Sequence, residues 1–474
     1  MKRTLVWFRN DLRIHDNEAL ASAFSEGEVL PVYIFDDRQF GETSSGFKKT
    51  GAYRAQFLRE SVVNLNNSFQ DLGGDLLVLR GLPETIIPEL VARYKIDQVY
   101  FHKEVTSEEV SVEQAVQKSL SIPTESFWGS TLFHPSDLPF DADNIPSVFT
   151  PFRKKLEKYS TVRALIELPE KPKFVENIEE TGIPELIDLG LTKKSIDKRS
   201  VLQFKGGEQE ALNRLRNYLW ETDNLARYKF TRNGLLGADY SSKFSPWLAN
   251  GTISPRKIYH EIKAYEDQRT KNESTYWLIF ELIWRDYFRL SALRYGDRIF
   301  KAGGIQDKNR NWSTDRDLFD QWANAETGIP FIDANMRELN QTGFMSNRGR
   351  QNMASFLAQN LNLDWRMGAE YFESMLIDYD VCSNYGNWAY NATVGHDPRN
   401  RFFNIIGQAK RYDAKGEFVK HWIPELKSIP QEFIHEPHKM NVRQKDFFEE
   451  IDAVVYPSPM IDLEKSYEAI KARE

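Results

Sequence analysis

A single cysteine, Cys382, is present in 474 residues. That excludes an internal disulfide and any cysteine-based zinc cluster, and a lone cysteine reads first as a small packed hydrophobe. No apolar run approaches the roughly 20 residues that a membrane-spanning helix needs. Positive charge is also in short supply. Lys and Arg number 62 against 69 Asp and Glu, for a net charge of −7, which argues against a protein coated with basic surface for nucleic acid. Local patches remain, at Arg153-Lys-Lys155, at Arg399-Asn-Arg-Phe-Phe403 and at Lys410-Arg411; each taken alone reads as a solvated face. There is no signal-peptide core, because Met1-Lys-Arg-Thr4 leads straight into a strand-like segment, so a cytoplasmic protein is expected. No internal repeat or low-complexity tract interrupts the chain.

What is present divides unevenly. The length exceeds the roughly 250–300 residues at which one core stops growing, so two domains are expected. Only Trp7 and Trp128 of the eleven tryptophans precede residue 200. Residues 1–133 alternate short apolar runs (Thr4–Phe8, Val29–Phe35, Leu76–Leu79, Gln98–Phe101) with helical spacing over Glu18–Phe24, Tyr53–Leu72, Pro83–Tyr94 and Glu108–Leu120. The alternation predicts an α/β fold with a parallel, Rossmann-like sheet covered on both faces. It lacks the Gly-x-Gly-x-x-Gly fingerprint of dinucleotide binding. The loop Phe8-Arg-Asn-Asp-Leu-Arg13 lies at the carboxyl end of the first strand, where ligands of such sheets bind. Residues 134–200, rich in Pro, Asp, Glu and Lys, read as a surface connector with short helices at most. Residues 201–474 read as all-helical, with Ser245-Pro246 and Ser254-Pro255 as helix starts.

The helical part concentrates fixed-geometry polar groups in an aromatic setting. Gly343-Phe-Met-Ser-Asn-Arg-Gly-Arg350, Asp378-Tyr-Asp380 and Asn384-Tyr-Gly-Asn-Trp388 combine amides, guanidinium groups and paired carboxylates. Such a set suits a large polar ligand with several hydrogen-bonding edges, and Trp312, Trp365 and Trp388 suit a redox-active one. In Tyr276–Phe288, Trp277, Phe280, Trp284 and Phe288 share a helical face with Glu281. That carboxylate either forms an i,i+4 bridge to Arg285 or has a use of its own. The hydroxyls and lysine of Tyr240-Ser-Ser-Lys-Phe-Ser-Pro246 serve either as ordinary caps or as an anion site. A metal at Asp378 and Asp380 is not expected, since the calcium-loop glycine and glutamate are missing and no histidine is near.

Several blocks carry a resemblance. Val6-Trp-Phe-Arg-Asn-Asp-Leu-Arg13, Trp277-Leu-Ile-Phe-Glu-Leu-Ile-Trp-Arg285, Gly343–Arg350 and Trp422-Ile-Pro-Glu-Leu426 resemble, in order, blocks of the photolyase/cryptochrome flavoprotein family. Gly237-Ala-Asp-Tyr-Ser-Ser-Lys-Phe-Ser-Pro-Trp247, Gly343–Asn352 and Tyr385-Gly-Asn-Trp-Ala-Tyr390 resemble its DASH-type cryptochromes. The resemblance implies FAD, folded into a U, in the helical domain. Tyr228, Ser241, Ser242 and Ser245 would hold its pyrophosphate, with Arg285 and Asn347 beside them. Arg350 would pair with Asp378 along the flavin edge, Asp380 would lie on the N3 side, and Asn384 would face N5 and favour the reduced flavin. Trp388, Trp365 and Trp312 would carry electrons in from the surface.

The same resemblance gives Glu281 and Trp284 the grip on a pyrimidine dimer, with Asn384 completing the catalytic set. Tyr390 and Gln351 stand where duplex-repair enzymes carry tryptophan and methionine, and Leu278 replaces a further tryptophan. This wall implies cyclobutane-dimer repair in single-stranded or looped DNA, with Arg399 and Arg401 as DNA contacts and RNA or undamaged DNA as further candidate partners. A 5,10-methenyltetrahydrofolate antenna is implied at His102-Lys-Glu-Val-Thr-Ser-Glu-Glu109, through Glu104 and Glu108; a solvated acidic helix start is the alternative there. The rival readings are a blue-light receptor and, more remotely, a redox flavoprotein that uses no light. The sequence stops about fifty residues after Leu426 without a long polar tail, which is expected of the enzyme rather than the receptor. A monomer without membrane attachment is expected.

Overall fold

A computed structural model describes residues 2–179, 181–397, 399, 402–440 and 456–473. Its amino-terminal part alternates β1 (Lys2–Phe8), α1 (Glu18–Glu26), β2 (Gly27–Asp36), α2 (Ala52–Asp71), β3 (Leu77–Gly81), α3 (Pro83–Tyr94), β4 (Gln98–His102), α4 (Ser107–Ser119) and β5 (Thr124–Phe127). The strands pair in parallel in the order β3-β2-β1-β4-β5. Successive side chains of a strand point to opposite faces, and each face has its own core. Val6 and Phe8 pack with Leu20 of α1 and Leu65 of α2, while Leu5 and Trp7 pack with Leu90 of α3. Burial on both faces explains why β1 and β2 read as unbroken apolar runs.

The connector is more structured than expected. It forms α5 (Phe149–Tyr159) and the short β6 (Lys173–Phe174), which pairs with Glu28 and Val29 of β2. Leu186, Leu189 and Leu191 are buried in the same core as Phe8. The signal was there in part: Phe149, Phe152 and Leu156 fall at helical spacing and are all buried.

The second half comprises α6 (Glu208–Arg216), α7 (Tyr228–Thr231), α8 (Ser245–Ala249), α9 (Pro255–Gln268), α10 (Glu273–Tyr295), α11 (Arg316–Ala323), α12 (Pro330–Thr342), α13 (Asn347–Ser355), α14 (Trp365–Met375), α15 (Val381–Asn391), α16 (Ile405–Tyr412) and α17 (Glu417–Trp422), with a further helix over Leu463–Ala472. Asn272 starts α10 with a capping box, its side chain accepting from the Ser274 and Thr275 amides. Among the described residues no helix is long and apolar enough to cross a membrane. Of the two Ser-Pro starts, Ser254 caps α9 by accepting from Arg256 N. Ser245 does not cap: it is already helical, because Phe244 before it has turned into the helical region at φ −77°, ψ −10°.

The loop after β1 joins the two halves. The Arg13 guanidinium donates to the carbonyls of Gly251 (2.9 Å) and Gly129 (3.0 Å), and Asn10 donates to Glu104 (3.0 Å). Asp16, fully buried, pairs with Arg256 at 2.7 Å. From the other side Asp286 of α10 accepts from the backbone amides of Leu132 and Phe133, both at 2.9 Å.

Candidate functional site

The Gly343–Arg350 motif is a helix–break–helix. Gly343 ends α12 at φ +72°, a left-handed conformation that favours glycine, and a Cβ there would meet Tyr53 at 2.7 Å. Ser346 then caps α13, accepting from Gly349 N at 3.0 Å. That turn leaves Asn347 exposed in the first turn and aims Arg350 at Asp378, Nη2 to Oδ2, 2.8 Å. The expected pair forms. Asp378 is nearly sealed, with 1% of its side chain exposed, whereas Arg350 keeps 24%.

Asp380 caps α15 by accepting from Ser383 N at 2.7 Å. Its other oxygen faces two cations of α10, Arg289 Nη1 at 3.8 Å and Arg285 Nη2 at 4.0 Å. Burial opposes ionisation of Asp380, but the two arginines and the capping bond outweigh it and hold the carboxyl below its ordinary range. One turn into α15, Asn384 donates its amide to Ala369 O at 2.9 Å. That bond fixes the amide plane and leaves the side-chain carbonyl as its acceptor.

The segment 240–245 lies near the Arg350–Asp378 pair, close enough for both charges to act on the Tyr240 hydroxyl. Ser242 is buried, Ser241 half-buried and Ser245 exposed, and Lys243 donates to Ser241 Oγ at 3.2 Å. Burial drives the Lys243 ammonium well below its usual value, with Glu338 of α12 opposing the shift. Glu338 is itself fully buried, and its carboxyl is pushed up to about 8, by desolvation above all. Tyr228 opens α7, and burial raises its phenol.

The i,i+4 bridge from Glu281 to Arg285 does not form. Glu281 pairs instead with Arg232, just past α7, and accepts from Trp277 Nε1 at 3.1 Å. Arg285 turns away and donates to the Ser130 and Leu248 carbonyls. Desolvation raises the Glu281 carboxyl, while Arg232 and the indole bond pull it back. Trp277 stacks on Phe280 at 4.8 Å, and Trp284 stacks on Phe149 of α5 at 3.6 Å and 9°. Tyr390 meets Trp284 edge-on at 6.3 Å and donates to Asp397 at 2.9 Å. Gln351 Oε1 is buried without a partner. Arg399 is largely exposed and pairs with Asp397 at 3.2 Å; Arg401 lies outside the described residues.

Trp388 and Trp365 are buried and Trp312 is half-buried. Trp388 packs so tightly on α14 that a Cβ on Gly368 would meet its ring at 2.2 Å. In the loop after β4, Glu104 is buried between Asn10 and Arg289. Glu108 is exposed and pairs with Lys49 at 2.7 Å.

Sequence reasoning missed Arg232, Arg289, Phe149 and Glu338. Arg289 was in reach, since it follows Glu281 and Arg285 at four-residue steps on one helix. Arg232 and Phe149 come from distant segments, and no local pattern marks them.

Buried polar atoms without hydrogen-bond partners gather around Arg350: Asp378 Oδ1, the Tyr240 hydroxyl and both Glu338 oxygens. Native structures seldom leave such atoms unsatisfied. With Arg350, Lys243 and the serine hydroxyls, they suit a cofactor that carries a diphosphate and a ring with hydrogen-bonding edges. Comparison with known proteins agrees. Residues 4–173 match the family described as DNA photolyase, and residues 277–474 match the FAD binding domain of DNA photolyase. A Cryptochrome DASH of Gloeobacter violaceus is 52% identical, covering 99% of this chain and 95% of that protein. The crystal structure of a Synechocystis sp. PCC6803 cryptochrome superposes with a TM-score of 0.97 at 48% identity, over 100% of this chain and 99% of that one. A bacterial class III photolyase from Agrobacterium tumefaciens superposes at 0.87 with 28% identity, over 100% and 98%. The chain belongs to the photolyase/cryptochrome flavoprotein family, and within it to the DASH-type cryptochromes.

Proposed function

We propose that this blue-light flavoprotein splits cyclobutane pyrimidine dimers in single-stranded or looped DNA. The observation that carries the reading is Glu281, a half-buried carboxylate held by Arg232 and Trp277 beside the aromatic wall of Trp284 and Tyr390. A carboxylate on an aromatic face is costly to desolvate unless it is paired or used; Arg232 pairs this one, and the 27% of its side chain left exposed can meet the N–H edge of a pyrimidine. Trp284 and Tyr390 would form the walls against which a flipped base packs.

Bound FAD, once reduced, would supply light-driven electron donation to the dimer and take the electron back after the ring opens. Tyr228, Ser241, Ser242 and Ser245, with Arg285 and Asn347, would hold its phosphate region. Arg350, positioned by Asp378, would lie along the ring edge, and the Asn384 carbonyl would accept a hydrogen bond from the reduced ring. Asp380 would line the same cavity. Trp388, Trp365 and Trp312 would refill the site with electrons. A folate would lie at the loop after β4, near Glu104 and Glu108.

The test is light-dependent loss of dimers from a single-stranded oligonucleotide, using protein whose flavin has been chemically reduced. Repair is expected in the wild type and strong loss of it in Glu281→Ala. Absence of repair by fully reduced, FAD-loaded wild-type protein would overturn the enzyme reading in favour of a photoreceptor.

A further inference from the structure

Asp380 is less neutralised than its surroundings suggest. Two guanidinium groups face its Oδ2, yet at 3.8 and 4.0 Å neither makes the short contact, about 2.7–2.9 Å, of a charge-assisted hydrogen bond. For Arg289 the reason is visible. Its Nη2 is taken by Glu104, which reaches across from the α/β domain, and its Nε is buried without a partner. Glu104 is in turn fixed by Asn10 Nδ2 at 3.0 Å, and its own amide donates to Glu113 at 2.7 Å. The Arg289 and Glu104 side chains are only 5% and 7% exposed, so water screens this line of charges poorly.

We propose that Glu104 is a positioning residue for the flavin site: it holds Arg289 back from Asp380 and thereby sets how much negative charge Asp380 presents to the cofactor. The inference rests on the reading that Asp380 lines the flavin cavity. Without the Glu104 charge, Arg289 closes on Asp380 and neutralises it. Reduced flavin carries a negative charge at neutral pH, so losing negative charge nearby favours the reduced form. Glu104 therefore keeps the flavin harder to reduce than the helical domain alone would make it.

The test is a reductive titration of FAD-loaded, folate-free protein. Glu104→Gln is expected to shift the two-electron equilibrium toward reduced flavin by roughly tenfold, within the range of about 5–150-fold usual for coupled sites; tenfold is about 30 mV for such a couple. Asp380→Asn is expected to shift it the same way, and the double variant to add little to Asp380→Asn. Glu104→Asp keeps the charge but loosens the grip on Arg289, so a smaller shift of the same sign is expected; it decides the matter if Glu104→Gln does not fold. Glu42→Gln, at a carboxylate 64% exposed and paired only with Lys48, is expected to change nothing. No shift in Glu104→Gln beside a clear shift in Asp380→Asn would overturn the relay and leave the flavin placement standing. No shift in Asp380→Asn would remove that placement and the relay with it. An undiminished Glu104→Gln shift in the Asp380→Asn background would show a direct field effect and also overturn the relay.

Discussion

The indole N–H groups of Trp312 and Trp365 donate to one acceptor, the carbonyl oxygen of Ala302, each at 3.1 Å. The two nitrogens therefore lie no more than twice that distance apart, and one backbone oxygen fixes both rings. Trp312 reaches the surface beneath the Arg310 guanidinium, 4.1 Å from its ring centre, while Trp365 is fully buried at the start of α14. A shared acceptor keeps the inner and outer tryptophan in fixed register.

Trp388→Phe should sharply lower the rate at which external donors photoreduce oxidised FAD, since phenylalanine is far harder to oxidise. The fold should survive with a loss in the ~0.5–3 kcal/mol range common for single substitutions. Repair started from chemically reduced flavin should change little. Trp388 also meets Trp322 edge-on at 6.2 Å, so a parallel Trp365→Phe variant tells which neighbour receives the hole. Photoreduction unchanged in both variants would exclude the Trp312–Trp365–Trp388 route.

Asp378→Ala should weaken FAD retention. The change leaves Arg350 without its carboxylate at the proposed flavin edge; breaking a fully buried pair costs about 3–5 kcal/mol. The effect should fall below that range, because 24% of the Arg350 side chain meets solvent. Flavin content after dialysis, with denaturation midpoints of loaded and flavin-free protein, reports it. Retention equal to wild type would remove the pair from the binding site.

The fold was legible wherever a segment carried its own periodicity. Pro83–Tyr94 matches α3 end to end, and the strand runs of β1, β2 and β4 emerge with their ends moved by a residue or two, because burial on both faces writes an apolar run directly into sequence. The three-turn α5 and the two-residue β6 were harder to read inside a polar, proline-rich stretch. At the site, the Arg350–Asp378 pair follows the expectation. The partner of Glu281 does not, since Arg232 lies 49 positions away and competes with the local Arg285 only once the chain has folded. The use of the loop after β1 as a bond between domains was likewise invisible, because what binds Arg13 is the backbone of residues 129 and 251.

Glu338 gives a pH signature. With its carboxyl raised to about 8 from an ordinary value near 4.5, the folded protein holds a proton across that window that the unfolded chain releases. The linkage sign follows: this group favours the folded state at low pH, and its contribution is lost as pH climbs from 4.5 toward 8. Glu338→Gln, which cannot ionise, should therefore gain stability relative to wild type as pH rises through the window. Chemical denaturation of both proteins at pH 5 and pH 8 checks this. A difference between them that does not change with pH would mean that Glu338 is ionised throughout, held so by Lys243 and Arg350.

Substrate choice should follow from the proposed lesion wall of Tyr390 and Gln351. Tyr390 presents a phenol tied to Asp397, and Gln351 presents a buried carbonyl without a partner. Neither gives the apolar contact that would repay the few kcal/mol needed to flip a dimer out of a paired duplex, a cost that single strands and bubbles largely avoid. The net charge of −7 adds little long-range attraction, so binding should depend on local cations such as Arg399 and weaken steeply with salt. Repair of single-stranded oligonucleotides should exceed that of matched duplex, and a bubble around the dimer should restore activity. Gln351→Met with Tyr390→Trp should narrow the gap, because methionine removes the unsatisfied carbonyl and tryptophan enlarges the stacking surface beside Trp284. Equal initial rates on duplex and single strand for the natural protein would refute the argument. A double variant that leaves the ratio unchanged would move its cause from these two walls to the DNA-facing surface around them.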